Sequence, residues 1–411
     1  MKQKQKLVIL GIGFAGLYTY RSMPKKVRKN FDITLVDKNN YFVFTPLIHE
    51  VATGSLNRSH VIEPIRSLIG DDAQFIESSI KRINTQEKTV ELEHQTISYD
   101  VLVLALGAVN NFFNIEGAQE YCLSLKTLKD AQIIKNKILA VLEEANQKHD
   151  EDERKKLLSF SIVGAGPTGV ELAGELAEWL FETATKEYTQ IKESEITLNL
   201  INSDEFPLKH FERHFQENTQ KILTNLGVNI INNTKVVKVE SDSLTTSGGQ
   251  KIPSHTTIWS AGVKANPVSV MPEPEAERGR ILVDKNLRIK SGEDVFVLGD
   301  IAGAHWHDES MLPMLAQVAK EQGEYIGKNI ESLLGRKSVK PFEYREKGRL
   351  VSLGNHKALA KIGPFHFSGF IAWFMWRTIY LFNFASWPKR LQIMLDWTIN
   401  FFRNRDLSKI D

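Results

Sequence analysis

The sequence predicts an α/β protein of two Rossmann-like dinucleotide-binding domains with a pair of amphipathic helices at its carboxy terminus. Three observations predict it. A glycine fingerprint follows an apolar run at Gly11, a second follows another apolar run at Gly164, and the segment after Phe365 concentrates aromatic side chains. The chain has 411 residues, 42% of them apolar and 25% charged, which is enough for two or three well-filled domains and excludes disordered and fibrous classes. One cysteine, Cys122, excludes a disulfide framework, a multi-thiolate zinc site and a dithiol redox centre within one chain.

Taken in order, Lys6 to Leu10 (KLVIL) is a continuous apolar run of the kind that forms a parallel strand buried on both faces. It opens into Gly11, Gly13 and Gly16. A second strand, Asp32 to Val36, ends in Asp37, and a third, Asp100 to Ala105, ends in Leu106-Gly107. Cys122 falls in what reads as an inter-domain crossover and is expected to be a buried structural thiol. The charged stretch Glu143 to Lys156 reads as the polar tip and tail of a surface helix. It precedes the strand Leu157 to Val163 and the turn Gly164-Ala165-Gly166-Pro167-Thr168-Gly169. Strands at Ile196 to Ile201, Val228 to Ile231 and Thr256 to Trp259 follow, with a helix around Phe211 to Leu226. A last strand, Asp294 to Leu298, runs into Gly299-Asp300.

In the first fingerprint Gly11 makes the tight turn, Gly13 lets a pyrophosphate approach the backbone, and Gly16 lets helix and strand pack closely. The helix N-terminus presents free N–H groups to the phosphates. Asp37, 21 residues beyond Gly16, stands where a carboxylate accepts from a ribose diol. In the second, Gly164, Gly166 and Gly169 precede Glu171 and Glu175, and the strand that should end in a ribose acid ends in Asn202. That removes a charge that repels a 2′-phosphate, unless Asp204 or Glu205 restores it. Two dinucleotide sites imply a flavoprotein that takes hydride from a nicotinamide, with Gly299-Asp300 returning a carboxylate to the flavin. No segment resembles a flavinylation site, so FAD is expected to be noncovalent. Without paired cysteines, electrons must leave to a quinone, to oxygen or to a protein carrier.

Net charge is +2, not a nucleic-acid binder's balance, although the first 31 residues hold eight basic side chains and no acid. No secretory signal is read, and no stretch of 18 uncharged apolar residues predicts a membrane span. From Phe365 to Phe402, 13 of 38 residues are aromatic. The run Gly369 to Ala385 is apolar but broken by Arg377, and Pro388 stands where a second helix begins, with Lys389, Arg390 and Arg403 near its ends. Tryptophans beside basic residues are groups that settle at a headgroup boundary.

The sequence resembles the type II NADH:quinone oxidoreductases (alternative NADH dehydrogenases) over nearly its whole length. The resembling segments include ILGIGFAG at Ile9, NYFVFTPLIHEVATGSL at Asn40, IVGAGPTGVELAGEL at Ile162, WSAGV at Trp259, VFVLGDIAG at Val295, LAQVAKEQG at Leu315 and GFIAWFMW at Gly369. The resemblance implies a non-pumping enzyme passing hydride from NADH to FAD and two electrons to a membrane quinone. It implies a homodimer lying monotopically on the cytoplasmic face of the inner membrane, with no metal and no nucleic acid. FAD contacts would come from Gly11, Gly13, Phe14, Ala15, Gly16, Asp37, Lys38, Thr45, Pro46, Ala105, Gly107, Gly299, Asp300, Ala316 and Gln317. NADH would be held by Gly164, Gly166, Pro167, Thr168, Gly169, Asn202, Ala261 and Gly262. The catalytic set would be Glu171, Gln317 and Glu321; Glu321 replaces the second glutamine of the family's AQxxxQ pattern, with Gln322 beside it. His49 and His356 read as packed or surface residues. The FAD-binding domain is expected at 1–115 and 290–365, the NAD(P)H-binding domain at 116–289 and membrane-associating helices at 366–411. A soluble NAD(P)H oxidase or reductase and a non-enzymatic FAD/NADH-binding membrane-surface protein are the alternative readings.

Overall fold

The computed structural model describes residues 4–290, 294–306, 308, 310–335, 337–384, 387–402 and 408, with 400–402 described by backbone alone. By its contacts the chain divides into two units. One comprises residues 1–43, 62–109 and 263–346, the other 44–61, 110–262 and 347–411.

Along the chain, β1 (Gln5–Leu10) turns into α1 (Phe14–Ser22), followed by β2 (Phe31–Asp37), the short α2 (Ile48–Ala52), β3 (Ala73–Glu77) and β4 (Val101–Leu104). Next come β5 (Cys122–Ser124), α3 (Leu128–Gln147), α4 (Glu151–Leu157), β6 (Ser159–Val163), α5 (Pro167–Ala177), β7 (Thr197–Ile201), α6 (Arg213–Asn225), β8 (Asn229–Ile231) and β9 (Thr256–Trp259). The chain continues with β10 (Val295–Val297), α7 (Ala316–Leu334), β11 (Arg349–Ser352), β12 (Ala358–Ile362), β13 (Phe365–Gly369), α8 (Phe370–Asn383) and α9 (Trp387–Phe402).

The first unit is built on a five-stranded parallel sheet in the order β10-β4-β1-β2-β3. Its central strands are apolar on both faces because both are covered, so Leu7, Ile9, Leu10, Val101, Leu102 and Val103 are all fully buried. Helix α7 lies against α1 through glycines: a Cβ on Gly323 would stand 2.3 Å from the Ala15 carbonyl oxygen, and one on Gly327 2.3 Å from that of Thr19. Only glycine permits this approach.

The second unit has a sheet of the same kind, in the order β5-β9-β6-β7-β8 and parallel throughout. Cys122 lies in edge strand β5, paired with Thr257, rather than in a crossover. It is a free, half-buried thiol that burial pushes up to about 12, so it is inert. The charged stretch is two helices, not one tail: α3 ends at Gln147, and Asp150 caps α4 by accepting the Asp152 amide at 2.7 Å. Arg154 of α4 then forms a buried fork with Glu195, at 2.6 and 2.9 Å. Helix α5 continues as a π-helix over Glu178–Ala184, an irregularity that is common at functional sites. The unit closes with the antiparallel sheet β11-β12-β13 and helices α8 and α9. No described helix is long and apolar enough to cross a membrane.

Candidate active site

In the first unit the turn after β1 has the geometry a dinucleotide needs. Gly11 adopts φ +87°, and a Cβ there would stand 2.4 Å from the Ala105 carbonyl oxygen. A Cβ on Gly16 would stand 1.9 Å from the Gly11 carbonyl oxygen. Gly13, the N-cap of α1, has nothing within 4 Å of its Cβ position. No protein atom requires a glycine there; the open space at a helix N-terminus does, because it admits a pyrophosphate. Asp37 is held at the end of β2 by the amides of Ile12 at 2.7 Å and Asn39 at 2.9 Å, and Lys38 beside it is exposed. Ala105 and Gly107 follow β4, and Gly299 stands 3.4 Å from Ala15 by the same measure, so Gly299-Asp300 meets the start of α1. These residues fit FAD.

Helix α7 divides its polar side chains by phase. Gln322 is fully buried, and its Oε1 accepts the Gly299 amide at 2.6 Å. It organises the fold. Ala316, Gln317 and Glu321 are half-buried, and the Gln317 Nε2 is enclosed without a hydrogen-bond partner among the described residues. A buried amide donor left open is what a ligand-binding position looks like.

The second unit repeats the turn. Gly164 has φ +105° and abuts Ala261 at 2.5 Å from its Cβ position, while Gly166 again has nothing within 4 Å. Pro167 and Thr168 are exposed at the start of α5, and Gly262 lies against the Phe113 ring. Asn202 is buried, and its Nδ2 donates to the Asp204 carbonyl and to Asn232 Oδ1, each at 2.9 Å. Its amide donors are thus used inside the protein. Thr45 and Pro46 also belong to this unit by their contacts, in a short 3-10 turn before α2.

The second unit also holds a feature the sequence did not announce. Glu171 and Glu175 of α5 and His49 and Glu50 of α2 are all buried. Glu171 accepts the Ser352 amide at 3.4 Å, and His49 Nδ1 lies 3.8 Å from its carboxylate. Ser55 Oγ donates to Glu175 at 2.7 Å. Burial raises the Glu171 pKa well above the carboxylate range, opposed by the Ser352 amide and reinforced by Glu50 and Glu175. Burial lowers the His49 pKa to about 4, so it is neutral, and its Nε2 has no hydrogen-bond partner among the described residues. The tail supplies the rest. Arg377 is sandwiched between the indoles of Trp373 and Trp397, at 4.0 and 4.7 Å; burial lowers its pKa, opposed in part by Glu50, Glu175 and Glu178. Tyr380, whose pKa is raised by burial and by Glu171, packs against Trp376 with its ring tilted by 49° and the centroids 4.9 Å apart.

The turn after β11 reaches this cluster through a glycine pair. A Cβ on Gly174 would stand 2.3 Å from the Leu353 carbonyl, and one on Gly354 2.3 Å from that of Gly174. That contact delivers the Ser352 amide to Glu171 and the Asn355 amide to Glu178 at 2.7 Å. Sequence reading found Glu171 but missed Glu50, Glu175, Trp397 and Tyr380; the one signal was Arg377, a charge interrupting an apolar helix. His356 lies edge-on to Trp373 as a packed residue.

Comparison with known proteins identifies the family. The family model described as pyridine nucleotide-disulphide oxidoreductase matches residues 5–323, and the one described as NDH2 C-terminal domain matches 347–406. The type II NADH:quinone oxidoreductase Ndh of Mycobacterium tuberculosis is 30% identical, over 98% of this chain and 89% of its own. The internal alternative NAD(P)H-ubiquinone oxidoreductase A1 of Arabidopsis thaliana is also 30% identical, over 99% and 86%. The solved structure of NDH2 from Plasmodium falciparum superposes with a TM-score of 0.92 at 22% identity, covering 99% of this chain and all of the other, which shows the same fold. With two dinucleotide turns, a family model spanning most of its length and full-length relatives, this chain belongs to the type II NADH:quinone oxidoreductases, FAD enzymes that oxidise NADH and pass its electrons toward a quinone.

Proposed function

We propose that Glu171 delivers a proton to the quinone as this enzyme reduces it. The observation that carries the reading is the buried Glu171 carboxyl, set among Glu50, Glu175 and His49, whose pKa burial raises well above the ordinary carboxylate range. A quinone that gains two electrons must gain two protons, and a buried carboxyl with a raised pKa is suited to supplying one. Bound FAD supplies the hydride acceptor and the electron donor. Gly11, Gly13, Phe14, Ala15, Gly16, Asp37 and Lys38 hold it, with Thr45, Pro46, Ala105, Gly107, Gly299, Asp300 and Ala316. Gly164, Gly166, Pro167, Thr168, Gly169, Ala261 and Gly262 hold NADH. Gln317 and Glu321 orient the quinone headgroup by hydrogen bonds.

The same reading sets residues 366–411 on a lipid surface, at the cytoplasmic face of the inner membrane, in a homodimer. Its support is the exposed apolar side chains of α8 (Phe370, Ile371, Phe374) and α9 (Leu391, Met394, Leu395, Ile399), with Trp387 69% exposed beside Lys389 and Arg390. The family resemblance supports the homodimer.

Stopped-flow half-reactions test the acid. Glu171→Gln keeps the volume and a hydrogen-bonding amide but holds no transferable proton. Flavin reduction by NADH should persist, while reoxidation by a short-chain quinone slows by 10²-fold or more, about the contribution of one general acid. Equal slowing of both half-reactions would sink the assignment.

A further inference from the structure

We propose that two ion pairs on the loop after β7 set the nicotinamide preference, Lys209 and Arg213 forming a 2′-phosphate site that Asp204 and Glu205 mask. The inference rests on the NADH reading above and assigns its selectivity to residues other than Asn202.

In a dinucleotide domain the adenosine ribose lies beyond the carboxyl end of the second strand, where an acid takes its 2′-hydroxyl or a nearby cation takes a 2′-phosphate. Here that strand is β7, and Asn202, at its end, has its amide donors committed to Asp204 and Asn232. Asn232 in turn donates to Gln220 at 2.9 Å. The residue the motif would choose therefore organises the loop from inside.

The loop itself is fixed to the glycine turn. The Leu208 amide donates to the Ala165 carbonyl at 2.8 Å, and Leu208 is buried with φ +57°. Gln216 Nε2 donates to the carbonyls of Lys209 at 3.1 Å and Phe211 at 2.9 Å. Lys209 thus follows directly on a residue bonded to the pyrophosphate turn. Its side chain is 61% exposed, and its Nζ meets Asp204 at 2.6 Å. Arg213 lies 3.7 Å over the Phe206 ring and forms a two-pronged pair with Glu205 at 3.1 and 3.2 Å, while its Nε meets Glu217 at 2.9 Å.

A guanidinium fork and an ammonium carried on one loop are each suited to a phosphate dianion. The carboxylates already occupy both cations and repel a second anion, so a 2′-phosphate is refused while a ribose hydroxyl is not. Exposed pairs of this kind are individually weak. The mask is therefore removable by charge alone, without rebuilding the fold.

The test titrates the flavin-loaded, full-length chain with NAD⁺ and NADP⁺ by calorimetry, so that binding is read apart from turnover. In Asp204→Asn/Glu205→Gln the affinity ratio of NADP⁺ to NAD⁺ should rise about tenfold, the size of one charge-assisted contact. Adding Lys209→Ala and Arg213→Ala should return the ratio to its starting value. Asn202→Asp should lower the melting temperature without sharpening NAD⁺ preference. An unchanged ratio in the double variant, with NAD⁺ binding and flavin content intact, would overturn the inference. So would sharper NAD⁺ preference in Asn202→Asp. A parent chain that binds neither nucleotide would instead overturn the reading beneath it.

Discussion

Trp397 donates its indole N–H to a carboxylate oxygen of Glu50 at 2.9 Å, joining α9 to the short helix α2. Both groups are buried, so the bond satisfies an acceptor that water does not reach. Trp397→Phe should cost about 1–3 kcal/mol, the penalty for stranding such an acceptor. Guanidinium unfolding of the parent and the variant reads the difference, and a change within error would show that Glu50 finds another donor.

Removing the tail from Gly369 should destabilise the second unit, besides ending the proposed contact with lipid. Trp373, Trp376, Arg377 and Tyr380 cover the buried carboxylates, so truncation exposes them and the melting temperature should fall. Full-length protein should cosediment with anionic vesicles. A truncation that melts like the parent would show that the tail only sits beside the cluster.

Acid should weaken the fold through His49. Its pKa falls from 6.5 to about 4 on burial, so folding favours the neutral ring. That stability is present in full above pH 6.5 and is lost as pH falls towards 4, about 3 kcal/mol in all. His49→Gln should flatten this loss. Denaturation midpoints at neutral pH, at pH 5 and at pH 4 would show equal slopes if the assignment is wrong.

Asp37→Ala should yield protein that loses flavin on desalting. The substitution frees the Ile12 and Asn39 amides and removes the proposed charge-assisted ribose contacts, worth roughly 1.5–3 kcal/mol each. The flavin-to-protein absorbance ratio measures it. Heat denaturation of the parent should release all its FAD to the supernatant, and retention in the pellet would mean a covalent link.

Gly174→Ala places a methyl group 2.3 Å from the Leu353 backbone. Overpacking against backbone should cost about 1–3 kcal/mol and push the Ser352 amide away from Glu171. Thermal melts and the rate of quinone reduction should fall together; an unchanged melt would show that the turn yields freely.

Both sheets and both glycine turns were legible in the sequence because their causes are local. An apolar run buried on two faces, a positive φ and an open N-cap each occupy a few adjacent residues. Pro388 likewise marked a helix that begins at Trp387. The carboxylate cluster was illegible for the opposite reason. Glu50, Glu171, Arg377 and Trp397 lie far apart in the chain, and no periodicity connects them. Glu175 looked like one more acid on a helix, and nothing in residues 44–61 marks that segment as packing with the second unit. Gln322 shows a finer limit: one residue from Glu321, it differs only in helical phase, which turns it inward to the Gly299 amide.

The sandwich of Arg377 between Trp373 and Trp397 makes the protein its own optical probe. Trp376 and Trp397 are buried while Trp387 is 69% exposed, and all stand in the tail with Trp373, four of the seven tryptophans in the chain. Docked, the buried indoles emit at short wavelength. If the tail leaves its seat, their emission moves to the red together, whereas Trp387 entering lipid moves the other way. Membrane attachment and detachment from the carboxylates would thus give opposite colour changes in a single unlabelled sample.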